Sequence, residues 1–188
     1  MTGRAILELA AATTDLEGAL ALAERLGGTA YCDHRQSWSH LPFRALVTVV
    51  TDEPDVIAAL GDVGTYVVCR RLKKPGDSGA VALFPLVRRS DLSHQAADAH
   101  WRDVHGPLAL THHGHMTHYT QLSVVANLGG LPLDGFALVG FRSEEDLRER
   151  FYSRPDSEAV IAADVAKFAD LKRSPRRLLT VEHGFGVD

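Results

Sequence analysis

The chain has little of what builds disulfide frameworks, membrane spans or nucleic-acid surfaces. Among 188 residues it carries only two cysteines, Cys32 and Cys69. Neither stands in a CxxC, which excludes a disulfide scaffold as the organising principle. Both read as small buried hydrophobes of a reduced protein. No apolar run approaches the roughly 18–20 residues needed to cross a bilayer. The opening MTGRAILELAAATTDLEGAL has acids inside its apolar part and lacks a signal-peptide pattern, so the expected location is cytoplasmic with no membrane partner. Charge of one sign is also scarce. The net charge is −4 and the longest basic run is the RRLKK of residues 70–74, which excludes nucleic acid as the expected partner. No Ser–His–acid order, phosphate-cradling glycine loop or nucleotide fingerprint is present, which disfavours hydrolases, kinases and dehydrogenases.

What is present is an ordinary globular composition, 45% apolar and 23% charged, in alternating short elements. Ala5–Ala11 has strand length. Asp15 can cap a helix with Leu16, Ala19, Leu20, Ala23 and Leu26 on one face, stopped by Gly27-Gly28. Thr29–Arg35 and Arg44–Val50 read as strands, a short helix opens near Asp52 with Pro54 in its first turn, and Thr65–Arg71 is a further strand. The order is βαββαβ, and the second half repeats it. Ala80–Val87 is a strand whose Pro85 implies an edge or a bulge. A helix runs from about Ser93 to the Pro107 region, Thr117–Val125 and Phe136–Phe141 are strands, and Ser143 and Ser157 start helices. Arg177–Glu182 closes the chain as a strand. This layout predicts an α+β fold, ferredoxin-like and duplicated in tandem, with halves 1–75 and 80–188 divided in the turn-rich Lys74–Gly79. One irregular α+β sheet is the alternative.

The most unusual feature is a crowd of histidines. Six of the ten fall within residues 100–118, HWRDVHGPLALTHHGHMTH. Histidine alone has an unperturbed pKa that lets it exchange protons near neutral pH, and its ring nitrogens need partners when buried. Pro107 cannot donate to the carbonyl of Asp103, so the helix is expected to end or kink around Val104–His105. That would leave His105 at a helix C-terminus, where free carbonyls favour the imidazolium form. His100 and His105 are about 140° apart on an α-helix, which argues against a shared metal ion. His112, His113 and His115 have no matching carboxylate, so no metal is expected. His118 and Tyr119 open the next strand and point to opposite faces.

The stretch Ser93–His94–Gln95 … His100–Trp101–Arg102–Asp103–Val104–His105–Gly106–Pro107–Leu108–Ala109 resembles the signature of the EthD family, approximately S-x-x-x-F-x-x-x-W-x-x-x-H-A/G-P-L. Asp134–Gly135–Phe136, Phe141, Asp146–Leu147, Phe151, Asp164, Phe168 and Glu182 follow that family's course, so the resemblance covers about residues 80–184. His100 departs from the aromatic often found there. The resemblance implies a barrel of the dimeric α+β type, formed by a homodimer, or by a monomer if two halves of one chain pair. It also implies a cavity between sheet and helices, and relatives that include cofactor-free monooxygenases, cyclases, lyases, isomerases and haem enzymes.

The expected function is proton transfer, without a cofactor, on a small apolar, aromatic or polyketide-like oxygenated metabolite. His105 is expected as acid or base, with His100 or His118 as partner and Tyr119 donating to a developing enolate. Trp101, Leu108, Phe136, Leu138 and Phe141 are the expected walls of the substrate cavity. The alternatives are a non-catalytic accessory or ligand-sequestering protein and a haem-binding barrel.

Overall fold

The computed structural model describes residues 6–51 and 54–186, and the periodic segments of the sequence form the elements there. In the first half, β1 (Ile6–Thr13) leads into α1 (Leu16–Leu26), followed by β2 (Thr29–Cys32), β3 (Ala45–Val49), α2 (Pro54–Leu60) and β4 (Gly64–Lys74). The expected start of the first strand at Ala5, and the opening of the second helix near Asp52, lie outside the described residues. In α1 the Asp15 carboxylate accepts the Gly18 N–H at 2.9 Å, and Gly27 ends the helix in the left-handed region at φ 63°. Both signals act as the sequence indicates.

The second half comprises β5 (Ala80–Leu86), a long helix, β6 (His118–Gly130), β7 (Gly135–Phe141), α5 (Glu144–Glu149), α6 (Ser157–Val165) and β8 (Leu178–Gly184). The long helix has three parts: α3 (His94–His100), a π-helical turn over Trp101–His105, and α4 (Gly106–His112). Here the structure corrects the sequence reading. Pro107 does not end the helix. The Gly106 N–H reaches back five residues to the Trp101 carbonyl, so a wider turn absorbs the proline and the helix continues. His105 therefore lies inside the helix, away from any free C-terminal carbonyls.

The strands close into one antiparallel barrel in the order β1-β3-β2-β8-β5-β7-β6-β4. Each half contributes four neighbours, and the halves meet where β2 pairs with β8 and β4 with β6. The chain's own strands thus complete the barrel. Pro85 is tolerated in β5 because β8 pairs only with Val81–Leu83, leaving the Pro85 side of the strand without a ladder to interrupt.

Side chains alternate across each strand. Tyr31, Leu46, Tyr66, Val68, Leu83, Leu122, Phe136 and Leu138 fill the barrel interior with Phe43. Phe136 meets Tyr66 and Phe43 edge-on, with ring centres 5.4 and 6.3 Å apart. The helices cover the outside. Ala19 and Ala23 of α1 pack on the small residues Ala30 and Ala45 of the strands beneath it. On the other side, Trp101 of the long helix and Phe168 beyond α6 pack with Tyr119, Val139 and Phe141 of the sheet.

Candidate functional site

A cavity of about 280 Å³ opens between the outer face of β5, β6 and β7 and the helices of the second half. Its floor is Tyr119, Ala137 and Val139, which alternate on their strands with the interior-facing Leu122, Phe136 and Leu138. Its roof comes from the long helix, α6 and the segments beside them, with Trp101, His105 and His113 facing Phe151 and Phe168.

The π-helical turn sets the chemistry on one side. Widening the helix brings residues five apart onto neighbouring positions, so His100 and His105 converge although an α-helix would separate them. His100 Nε2 and His105 Nδ1 each lie 3.0 Å from an oxygen of Asp164, at the end of α6. The Lys167 ammonium stands 3.3 Å from the same carboxylate. Phe168 packs against both imidazoles and Trp101, with centroid separations of 5.5, 5.2 and 6.5 Å.

Asp164 is buried, which raises its pKa. Hydrogen bonds from His100, His105 and Lys167 outweigh that cost and hold it below the ordinary carboxylate range. It is therefore an anion and accepts from both rings. An acceptor at His105 Nδ1 places the proton of the neutral ring there and leaves Nε2 with a lone pair. Burial pushes His105 below its ordinary pKa, and the bond and charge of Asp164 oppose this without reversing it. The helix-end imidazolium expected from the sequence is thus replaced by a neutral, carboxylate-oriented base.

His113, at the end of α4, is a second base that the sequence analysis left without a role. Its Nδ1 donates to the Phe151 carbonyl at 2.7 Å, which again leaves Nε2 unprotonated in the neutral ring. Burial lowers its pKa, and its ring sits against Phe151 and Tyr152 at 4.6 and 5.3 Å. Tyr119 is fully buried on the cavity floor. Its hydroxyl accepts from Gln121 Nε2 at 3.0 Å, which leaves its proton to donate, and burial raises its pKa.

The other expected site residues are distributed differently. His118 faces away from the cavity and bonds Thr120 Oγ1 at 2.9 Å, among the interior-facing side chains of β6. Phe136 and Leu138 are in the barrel core. Phe141 belongs to the outer layer but does not line the cavity, and neither does Leu108. His112 bonds Ser157 Oγ at 2.9 Å behind the cavity wall. His115 lines a separate open groove beside Lys74 and Arg142. Of the expected set, the structure brings Trp101, His105 and Tyr119 into one cavity, with His100 one carboxylate away. Asp164, Phe151 and Phe168 had a signal in the sequence, since all three follow the EthD course. His113 had only its place in the histidine cluster, and Ala137 and Val139 had no signal.

A closed eight-strand antiparallel α+β barrel with a histidine-lined cavity beneath its outer helices defines the class of this protein. Residues 89–172 match the family model of the EthD domain. Among solved structures, an anthrone oxidase-like protein aligns over 100% of this chain and 97% of its own, with 12% identity and a TM-score of 0.59. A candidate monooxygenase from Lactobacillus acidophilus NCFM aligns over 99% of this chain and 100% of its own, with 9% identity and a TM-score of 0.50. An ethyl tert-butyl ether D (EthD) family protein from Bacillus halodurans C-125 is 20% identical over 53% of this chain and 95% of its own, with a TM-score of 0.42. No curated protein matches the sequence. At these identities the first two solved structures establish the fold alone.

Proposed function

We propose that the protein binds a small, mostly apolar, aromatic or polyketide-like oxygenated metabolite in the outer cavity and transfers a proton on it. The observation that carries this reading is the Asp164–His105 pair at the edge of an apolar chamber. Asp164 fixes the tautomer, and His105 Nε2 takes a proton from a carbon or hydroxyl conjugated to a carbonyl. The Tyr119 hydroxyl donates to the oxygen where negative charge develops. His113 is placed to return the proton on another face. Trp101, Phe151 and Phe168 suit a flat aromatic ring, and the name of the anthrone oxidase-like neighbour agrees with a substrate of this shape. Deprotonation of such a molecule is the step shared by cofactor-free lyase, isomerase, cyclase and monooxygenase reactions.

The element order and the strand order within each half support a tandem pair of ferredoxin-like units, 1–75 and 80–188, that together form a barrel of the dimeric type. Residues 80–188 hold the site. A haem does not fit the cavity as it stands, because about 280 Å³ falls just below the roughly 300–1,000 Å³ of ordinary ligand pockets.

The test uses anthrone as the probe, in heavy water, following deuterium entry at its acidic methylene by mass spectrometry. The wild-type protein should accelerate exchange over buffer, and His105→Ala should lose about 10²–10⁴-fold of that acceleration while still binding the probe. Unchanged binding and unchanged exchange in His105→Ala would overturn the enzyme reading and leave a ligand-sequestering protein.

A further inference from the structure

Away from the cavity, the seam between β2 and β8 gathers the donor set of a transition-metal site. Cys32 ends β2, His34 follows two residues later, and His183 lies on β8 opposite Ala30. Their sulfur and ring-nitrogen atoms all lie within 4.8 Å of one another. The two imidazoles meet edge to face, 5.4 Å between centroids, with Nε2 facing Nε2 at 3.2 Å. Two imidazoles bound tetrahedrally at about 2.0–2.1 Å from one zinc ion stand about 3.3 Å apart. The pair is thus already spaced as two ligands of one ion.

The surroundings fix this arrangement. Asp33, fully buried between Cys32 and His34, accepts the Leu179 N–H of β8 at 3.1 Å and holds the Arg35 guanidinium at 2.9 Å. This ties the end of β2, and with it His34, to β8. The Cys32 thiol is buried and makes no hydrogen bond among the described residues, whereas His34 is exposed and gives an ion a way in.

We propose that Cys32, His34 and His183 form a three-ligand site for a zinc-class divalent cation that clips β2 of the first half to β8 of the second. A thiolate with two imidazoles suits Zn²⁺ and its spectroscopic substitute Co²⁺, whereas Mg²⁺ and Ca²⁺ take oxygen ligands. On binding, the cation displaces the thiol proton to solvent. The imidazole that carries its proton on Nε2 moves it to Nδ1, so that both Nε2 lone pairs reach the metal. The fourth tetrahedral position faces the His34 side, open to water or to a further ligand.

The experiment titrates Co²⁺ into chelator-treated full-length protein. One equivalent should produce tetrahedral visible bands and a thiolate-to-cobalt charge-transfer band in the near ultraviolet, both abolished by Zn²⁺. Zn²⁺ should also raise the melting temperature, as a ligand selective for the native state must. His34→Ala, at an exposed position, should weaken Co²⁺ at least tenfold and remove the melting shift. Cys32→Ser should abolish the charge-transfer band, and Cys69→Ala should keep it. A titration without a thiolate band would overturn the proposal, as would binding that is unchanged in His34→Ala or a band that disappears with Cys69.

Discussion

At the scale of single residues, the outer cavity is built from side chains that leave room. Ala137 and Val139 form its floor, while their neighbours Phe136 and Leu138 fill the barrel. Ala137→Phe should therefore abolish probe binding in a calorimetric titration and leave the fold intact. Phe136→Ala should cost about 3–5 kcal/mol in denaturant unfolding, the usual result of emptying an aromatic core site. The sequence could not show this division. All seven residues of β7 are buried, so no polar face marks which side is which, and large apolar residues attract attention as cavity walls when they are core. The histidines are a different case. His105 was legible as a candidate ring, and the structure places it at the cavity, yet its partner lies 59 residues away in Asp164, a distance that periodicity does not bridge. Asp164→Asn should lower the His105 pKa further, because the carboxylate's hydrogen bond and charge now hold it up. NMR titration of the ring checks this, and the exchange rate of the probe should fall with it.

At the scale of elements, helix starts and stops were readable because caps and prolines act locally, as at Asp15, Gly27 and Ser143. The response of the long helix to Pro107 was not. Proline forbids one hydrogen bond but leaves a choice between ending, kinking and widening, and packing against α6 and Phe168 decides it. Pro107→Ala restores an N–H and lets the turn tighten to an α-helix. His100 and His105 would then separate by about 140°, and one of them would lose Asp164. The melting temperature should hold or rise, since a proline in a helix interior costs about 3 kcal/mol. Probe exchange should fall. Nitrogen-15 spectra of the two rings should show one hydrogen bond to the carboxylate in place of two.

At the scale of the whole molecule, the βαββαβ order was visible in each half, and the closure of two sheets into one barrel depends on pairings between β2 and β8 and between β4 and β6 that only the assembled chain reveals. With every strand paired on both sides, light scattering should give the single-chain mass of 20.4 kDa. Buried histidines set the acid limit of this structure. His105 and His113 have native pKa values below the ordinary 6.5, so the unfolded chain binds more protons in the interval beneath that value. Stability is then full above pH 6.5 and is lost as pH falls through that value towards the native pKa values. Thermal melts between pH 7.5 and 5.5 should show the decline, and His113→Asn should flatten it. Asp164, with its lowered native pKa, adds a second loss of the same sign below about pH 3.8.

Closing the barrel within one polypeptide also breaks a symmetry. Two identical chains forming such a barrel must carry every pocket twice, whereas this chain packs alanines beneath its first outer helix and keeps the roomy chamber under the second-half helices. On the proposed function, each barrel takes one ligand in that chamber. Occupancy should follow a simple hyperbola in ligand concentration. On the same reading, the first half holds no substrate and is free to diverge as scaffold.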